Sequence, residues 1–193
     1  MRRSAGGNRL PKLAVFARFP TPGAAKTRLI PALGATGAAA LHRRLVEDTL
    51  AVVRMSGLDF ALHITGADAE AFITWLGEVP LVAQGEGDLG ARLARVRCPC
   101  LLIGTDCPDL TPDHLREAAA LVAAGTPCIG PAEDGGYWLL GLPRPRPDLF
   151  EDMAWGTDSV FAATHARLPE AVLLPMLADL DRPEDLARWP GLA

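Results

Sequence analysis

The chain alternates between two patterns of apolar residues. Short apolar runs are typical of strands buried on both faces. They occur at residues 12–17, 60–64, 81–83, 100–104, 128–130, 137–142 and 172–174. Helical signals, mostly apolar residues at helical spacing, cover residues 38–55, 69–76, 87–96, 112–124 and 158–167, with a last helical turn or two at 183–189. Because strands and helices alternate, the sequence predicts an α/β fold in three layers, with a mostly parallel sheet between helices on both faces.

Several element boundaries have recognisable signals. Residues 18–31 contain three prolines and a glycine and are predicted to form a loop after the first strand. Thr111 is placed to cap a helix that has Pro112 in its first turn and Gly125 after its end. Thr157 is predicted to cap the following helix in the same way.

Composition narrows the class of protein. The 193 residues indicate one domain, predicted at 11–193, preceded by a flexible tail at 1–10. A net charge of −4 with no long basic run argues against nucleic acid as a partner. No stretch approaches the roughly 18 apolar residues of a membrane span, and no targeting segment is recognisable, so the cytoplasm is the expected location. The cysteines (Cys98, Cys100, Cys107 and Cys128) do not match zinc-site spacing and are expected to be reduced.

Polar residues follow three of the predicted strands. Lys26 and Arg28 come after the first strand, Asp106 after the fourth, and Asp179 and Asp181 after the last. Ligands of open α/β sheets bind at the carboxyl ends of the strands. We therefore expect the chemistry to lie where these clusters meet.

The first cluster has residues suited to phosphate. Gly23 permits close backbone approach, and Lys26 and Arg28 supply an ammonium and a forked guanidinium. The loop is not a P-loop, because that motif would need glycines at Pro20 and Ala25. A purely solvated basic loop is the alternative interpretation.

Residues 85–90 read G-E-G-D-L-G, which matches the dinucleotide fingerprint G-x-G-x-x-G. The match is a weak signal, since the following helix is cut short by Pro99 and the unit is not the first in the chain. Glycines that pack a tight turn explain the same residues.

Asp106 is a candidate ligand for Mg²⁺ or Mn²⁺, which prefer oxygen donors. It could instead shape the turn before Thr111. Asp181 has an alternative role as a helix N-cap, with Glu184 three residues on. Residues 133–136, E-D-G-G, could form a simple hairpin turn. Tyr137, Trp138 and Trp155 are more typical of a core or a sheet face than of a ligand platform.

Taken in order, six motifs resemble a known family. They are F-A-R-F-P-T-P-G-A-A-K-T-R-L, Q-G-E-G-D-L-G-A-R-L, L-I-G-T-D-C-P-D-L, G-P-A-E-D-G-G-Y-W-L-L-G-L, W-G-T-D-S-V and L-A-D-L-D-R-P-E-D-L. Together they resemble bacterial radical-SAM/selenodomain-associated glycosyltransferases of the nucleotide-diphospho-sugar transferase superfamily. The resemblance covers about residues 12–190 and implies a Rossmann-like GT-A fold. The superfamily also includes phospholactate guanylyltransferases and molybdenum-cofactor nucleotidyltransferases.

The resemblance also implies roles for individual residues. It implies that Lys26 and Arg28 contact nucleotide phosphates, and that Asp106 holds the metal with Asp181 as a second ligand. The sequence departs from a D-x-D signature, because Cys107 and Pro108 follow Asp106. Residues implied to lie near the nucleoside are Gly87, Asp88 and Arg92, and those implied to lie near the second substrate are Asp134, Gly135 and Gly136.

These features lead to one function and its alternatives. We expect a transferase that uses Mg²⁺ or Mn²⁺ and moves a glycosyl group from a sugar nucleotide to a small acceptor. Nucleotidyl transfer from a triphosphate needs the same phosphate and metal apparatus and is the first alternative. A nucleotide-binding module without turnover is the second, and an oxidoreductase that binds NAD at residues 85–90 is the third.

Overall fold

The computed structural model describes residues 10–192. The tail predicted at 1–10 therefore lies almost wholly outside the described residues. The strands are β1 (Lys12–Arg18), β2 (Phe60–Thr65), β3 (Leu81–Ala83), β4 (Cys100–Ile103), β5 (Cys128–Pro131), β6 (Tyr137–Leu142) and β7 (Val172–Leu173). The helices are α1 (Ile30–Ser56), α2 (Ala69–Leu76), α3 (Leu89–Ala94), α4 (Pro112–Ala123) and α5 (Val160–Arg167). Short 3₁₀ helices cover Thr27–Leu29, Pro147–Leu149 and Pro183–Arg188.

The strands form one sheet in the order β3-β2-β1-β4-β6-β5-β7. Every pairing is parallel except the two made by β6, which runs antiparallel to β4 and to β5. The predicted mostly parallel sheet is thus confirmed. Central β1 and β4 pair in parallel, so their carboxyl ends lie side by side, which is where a ligand site of an open sheet forms.

Alternate residues of the central strands enter two separate cores. On β1, Leu13 and Val15 pack with residues of α1 and α4, whereas Ala14 belongs to the core on the other side of the sheet. That second core contains Leu93 of α3 and Leu168, which follows α5. Helices therefore cover both faces, and the three-layer architecture predicted from the sequence is confirmed.

Helix α1 begins earlier than the sequence pattern predicts. The predicted loop reached Pro31 and the predicted helix began at residue 38, but the helical backbone begins at Ile30 with Pro31 in its first turn. A proline is tolerated there because its missing N–H has no partner in the first turn of a helix. Gly34, at φ 70°, then breaks the helix before its long segment.

Two other helices are shorter than predicted. Helix α3 occupies Leu89–Ala94 rather than 87–96, and the Asp88 side chain caps it by accepting a hydrogen bond from the Ala91 amide. The prediction that Thr157 caps α5 is wrong, since that helix begins at Val160. The Thr157 hydroxyl instead donates to the Ala154 carbonyl and lies 2.8 Å from the Ser159 hydroxyl. A local hydroxyl–carbonyl bond of this kind competes with capping.

All four cysteines are free, as the sequence predicts. Among residues 10–192, no helix is both long and apolar enough to cross a membrane.

A substitution at Gly141 tests how closely the sheet packs against α4. A β-carbon at this position would lie 2.5 Å from Cys128 Sγ and 2.8 Å from Val122 Cγ2, so Gly141→Ala should lower the free energy of unfolding by about 1–3 kcal/mol. Urea denaturation followed by circular dichroism measures the change. Gly191→Ala is the matched control, because nothing lies within 4 Å of its added β-carbon. Equal midpoints for the two variants would contradict this packing.

Candidate active site

The Lys26 ammonium joins three segments of the chain. Its side chain is only 4% exposed, and Nζ lies 2.7 Å from Asp106 Oδ1 and 3.5 Å from Asp181 Oδ1. It also donates a hydrogen bond of 2.5 Å to the carbonyl of Leu180. The three polar clusters that follow separate strands in the sequence therefore meet at one nitrogen.

Apolar packing and a backbone hydrogen bond hold these segments in place. Leu29 and Leu180 are both fully buried in a small core with Leu41 and Leu45 of α1. The Leu180 amide donates to the Asp106 carbonyl at 2.8 Å. The residues before Leu29 and those around Leu180 are thus fixed to the carboxyl end of β4.

Asp181 is not a helix cap. Its carboxylate accepts from Arg28 Nη1 at 2.5 Å and faces Lys26, so it belongs to the site. The 3₁₀ helix at Pro183–Arg188 is capped instead by Asp185, whose carboxylate accepts from the amides of Asp181 and Arg182. The structural alternative proposed from the sequence for Asp181 is therefore wrong.

The ion pair controls the pKa values of its members. Burial acts to raise the pKa of Asp106, but the Lys26 ammonium outweighs it and lowers that pKa. Burial likewise acts to lower the pKa of Lys26, and the carboxylates of Asp106 and Asp181 raise it instead. Both partners are therefore charged at neutral pH.

A cavity of about 350 Å³ opens beside this cluster. Its lining includes four carboxylates, from Asp106, Asp134, Asp179 and Asp181. It also includes the side chains of Phe16, Leu89, Leu93, Leu102, Tyr137 and Trp155. The described residues bring no lysine, arginine or histidine to the lining, so its charges are all negative.

Asp179 lies among other carboxylates, and its pKa reflects them. Burial, together with the negative charge of Asp134, raises its pKa to about 6. The carboxylates around Asp179 therefore carry a local excess of negative charge that favours protons or cations.

The predicted second-substrate residues form a hairpin turn between β5 and β6. Asp134 and Gly136 line the cavity, and Asp134 Oδ1 accepts from the Gly136 amide at 2.7 Å. Gly135, at φ 87°, packs so closely that an added β-carbon would lie 2.2 Å from the Asp158 carbonyl oxygen. Its carbonyl accepts from the Phe161 amide, which ties the turn to α5.

The residues predicted near the nucleoside lie outside the cavity lining. Asp88 caps α3, and Arg92 donates to the Gly87 carbonyl and to Gln84 Oε1. The third glycine of the fingerprint, Gly90, packs against Trp155 and the Phe150 carbonyl, with no room for a β-carbon. These contacts favour the tight-turn interpretation of residues 85–90. A contact of Gly87, Asp88 or Arg92 with a nucleoside stays a prediction.

Gly23 is exposed, at φ 82°, and a β-carbon there would meet nothing within 4 Å. Its positive φ requires glycine in the turn, because other residues rarely adopt it. The predicted phosphate contact of this residue is untested.

Tyr137 and Trp155 pack against the second core, in agreement with the sequence prediction, and both also line the cavity. Their polar atoms, Tyr137 Oη and Trp155 Nε1, are buried without a hydrogen-bond partner in the protein. An aromatic residue in a strand and another in a loop carry no sequence signal that they meet, so only the fold reveals them.

Comparison with known proteins places this site in a family. The sheet order and the likeness to solved structures define a nucleotide-diphospho-sugar transferase-like Rossmann fold. The chain belongs to the DUF2064 family, described as uncharacterized proteins conserved in bacteria, whose model matches residues 49–157. A search of curated proteins found no match.

Solved structures share the fold. A candidate nucleotide-diphospho-sugar transferase from Desulfovibrio desulfuricans G20 is 29% identical, with a TM-score of 0.84 over 94% of this chain and 87% of that one. The Mycobacterium tuberculosis H37Rv protein Rv0371c, in complex with manganese, is 21% identical, with a TM-score of 0.53 over 92% and 97%. Molybdopterin-guanine dinucleotide biosynthesis protein A from Archaeoglobus fulgidus is 14% identical, with a TM-score of 0.55 over 92% and 95%.

A double-mutant cycle tests the central ion pair. Lys26→Met and Asp106→Asn should each lower the free energy of unfolding, with a coupling of about 1 kcal/mol or more, because each leaves a partly buried charge without its partner. Urea unfolding at pH 7 of both single variants and the double variant gives the coupling.

The matched control pair is Arg44 and Asp48, whose side chains are 51% and 60% exposed. An exposed helical pair of this spacing should couple by only about 0.3–0.5 kcal/mol. A Lys26–Asp106 coupling no larger than the control would show that Lys26 does not hold the segments together.

Proposed function

We propose that this protein is a metal-dependent transferase that acts on a nucleotide-activated donor, with glycosyl transfer from a sugar nucleotide as its reaction. The observation that carries the proposal is the convergence of Lys26, Arg28, Asp106 and Asp181 beside a cavity at the carboxyl end of β4. Likeness to the Desulfovibrio candidate nucleotide-diphospho-sugar transferase supports the choice of donor.

Asp106 and Asp181 would supply two of the oxygen ligands of a divalent cation. Their carboxylates lie beside each other, with oxygens 2.7 and 3.5 Å from Lys26 Nζ. Mg²⁺ usually takes one or two carboxylates and completes its coordination with water and substrate phosphates. Residues 10–192 form no group of three or more side chains placed to hold a metal, so donor phosphates would have to supply further ligands. The manganese complex of Rv0371c supports a divalent ion in this fold.

Lys26 and Arg28 would hold the phosphates of the leaving nucleotide. The Arg28 side chain is 52% exposed, and its planar guanidinium suits two phosphate oxygens at once. Lys26 supplies a compact charge close to both carboxylates. When bound, Mg²⁺ or Mn²⁺ would neutralise charge that develops on the phosphates.

The hairpin turn with Asp134, Gly135 and Gly136 would position the acceptor, since Asp134 and Gly136 line the cavity. Asp134 is exposed and its carboxylate already fixes the turn through the Gly136 amide. The same residues would serve nucleotidyl transfer from a triphosphate. Glycosyl transfer breaks the bond between the anomeric carbon and a phosphate oxygen, and nucleotidyl transfer breaks the bond between the α-phosphorus and its bridging oxygen, but both expel a phosphate-bearing leaving group whose charge cations stabilise. The leaving group distinguishes the two reactions.

Thermal-shift assays test donor binding. We expect one nucleoside triphosphate or sugar nucleotide to raise Tm when Mg²⁺ or Mn²⁺ is present, since a ligand at 100 times its Kd adds about 2.7 kcal/mol of stability. Asp106→Asn should abolish the metal-dependent part of the shift. The control is Asp113→Asn on α4, whose side chain is 88% exposed.

Product analysis then separates the reactions. Release of a nucleoside diphosphate from a sugar nucleotide supports glycosyl transfer, whereas release of pyrophosphate from a triphosphate supports nucleotidyl transfer. Binding without either product, and unaffected by Asp106→Ala, identifies a binding module. No stabilisation by any nucleotide would refute the proposal.

A further inference from the structure

Two of the four cysteines form a close pair away from the candidate active site. Cys98 and Cys100 both pack in the second core, and their sulfur atoms lie 3.5 Å apart. Cys107 and Cys128 pack with the first core, on the other face of the sheet. Cys100 begins β4, so the pair lies at the opposite end of this strand from Asp106. The fold therefore separates one pair of thiols from the remaining cysteines and from the ion cluster.

The pair is close enough to form a disulfide. A disulfide bond is about 2.05 Å long, so the two sulfur atoms need to approach each other by only about 1.5 Å. A single residue, Pro99, separates the two cysteines, and its carbonyl accepts a hydrogen bond of 3.2 Å from the Lys12 amide. This contact with β1 fixes the backbone between the two thiols, so the thiols stay within reach of each other.

The two thiols differ in exposure and in acidity. Cys98 is partly exposed, whereas Cys100 is buried, so a solute reaches Cys98 first. A hydrogen bond from the Cys100 thiol stabilises the thiolate of Cys98 and lowers the pKa of Cys98. The same hydrogen bond, together with burial, raises the pKa of Cys100. Because a thiolate is the form of cysteine that attacks an oxidant, Cys98 is the nucleophile of the pair.

Pro99 limits what an oxidised Cys98 can become. A cysteine sulfenic acid condenses either with a thiol, to give a disulfide, or with a backbone nitrogen, to give a sulfenamide. The backbone nitrogen that follows Cys98 belongs to proline and carries no hydrogen, so the sulfenamide cannot form there. The thiol of Cys100 is therefore the partner that remains.

We propose that Cys98 and Cys100 are a peroxide-sensitive dithiol, in which Cys98 is oxidised first and Cys100 converts the product to a disulfide. The Cys98 thiolate attacks one oxygen of hydrogen peroxide. An S–O bond forms, the O–O bond breaks, and the leaving hydroxide takes up a proton to become water. The Cys100 sulfur then attacks the Cys98 sulfenic acid. The S–S bond forms, the S–O bond breaks, and the Cys100 proton leaves with the hydroxide as a second water. Two electrons pass from the thiols to the peroxide, and a dithiol reductant reverses the reaction.

Mass spectrometry of the full-length protein tests the pair. The reduced protein is exposed to hydrogen peroxide at pH 7, sampled over time and blocked with iodoacetamide. Trypsin followed by cleavage before Asp106 releases residues 98–105 and separates them from Cys107. We expect this segment to lose two hydrogen atoms and to recover both thiols on treatment with dithiothreitol. Its thiols should disappear at least about tenfold faster than that of Cys107, because burial raises the pKa of Cys107.

Single substitutions assign the two roles. Cys100→Ser should let the sulfenic acid accumulate at Cys98, where dimedone traps it, and Cys98→Ser should leave Cys100 unmodified. Cys107→Ser is the matched control, since Cys107 is also a partly exposed thiol, and it should not change disulfide formation.

Three results for the wild-type protein would each overturn the proposal, whether or not the variants fold. They are retention of both thiols in residues 98–105, a disulfide that includes Cys107, and oxidation of Cys98 to a sulfinic acid while Cys100 stays a thiol.

Discussion

A single buried ammonium organises the site. Lys26 lies in the left-handed backbone region, at φ 48°, and its side chain passes through the core edge to reach Asp106, Asp181 and the Leu180 carbonyl. Such a charge is tolerated only because carboxylates and a carbonyl replace its water. The same contacts bring the loop after β1, the end of β4 and the segment after β7 to one point. Everything proposed about donor chemistry depends on that convergence.

Close packing at glycines shapes the walls around this point. Gly90 lets α3 approach Trp155, Gly130 leaves room for the Trp138 ring, and Gly135 lets the hairpin turn lie against the backbone of Asp158. Each contact replaces a side chain with a neighbouring element, so these backbone segments and rings lie directly against one another.

The sequence predicted the fold well because its strongest signals are local. Apolar runs located all seven strands, and their alternation with helices predicted the layers. The predictions for the start of α1 and for the cap of α5 were wrong. A proline can end a loop or lie in the first turn of a helix, and a hydroxyl can cap a helix or bond to a nearer carbonyl, so the sequence alone does not decide either case. Parallel topology also predicted that Lys26, Asp106 and Asp181 would meet. It could not choose between cap and ion pair for Asp181, nor show that Tyr137 and Trp155 share a cavity, because those facts depend on contacts between distant segments.

The partners of Lys26 lie far from it along the chain. Lys26 and Leu180 are 154 residues apart in sequence, yet they share a hydrogen bond. Contacts of this range slow folding, because the chain between them must be ordered before they form. On a ribosome, β1 and its loop emerge long before the segment that contains Asp181. The ion cluster can therefore close only after nearly the whole chain has been synthesised.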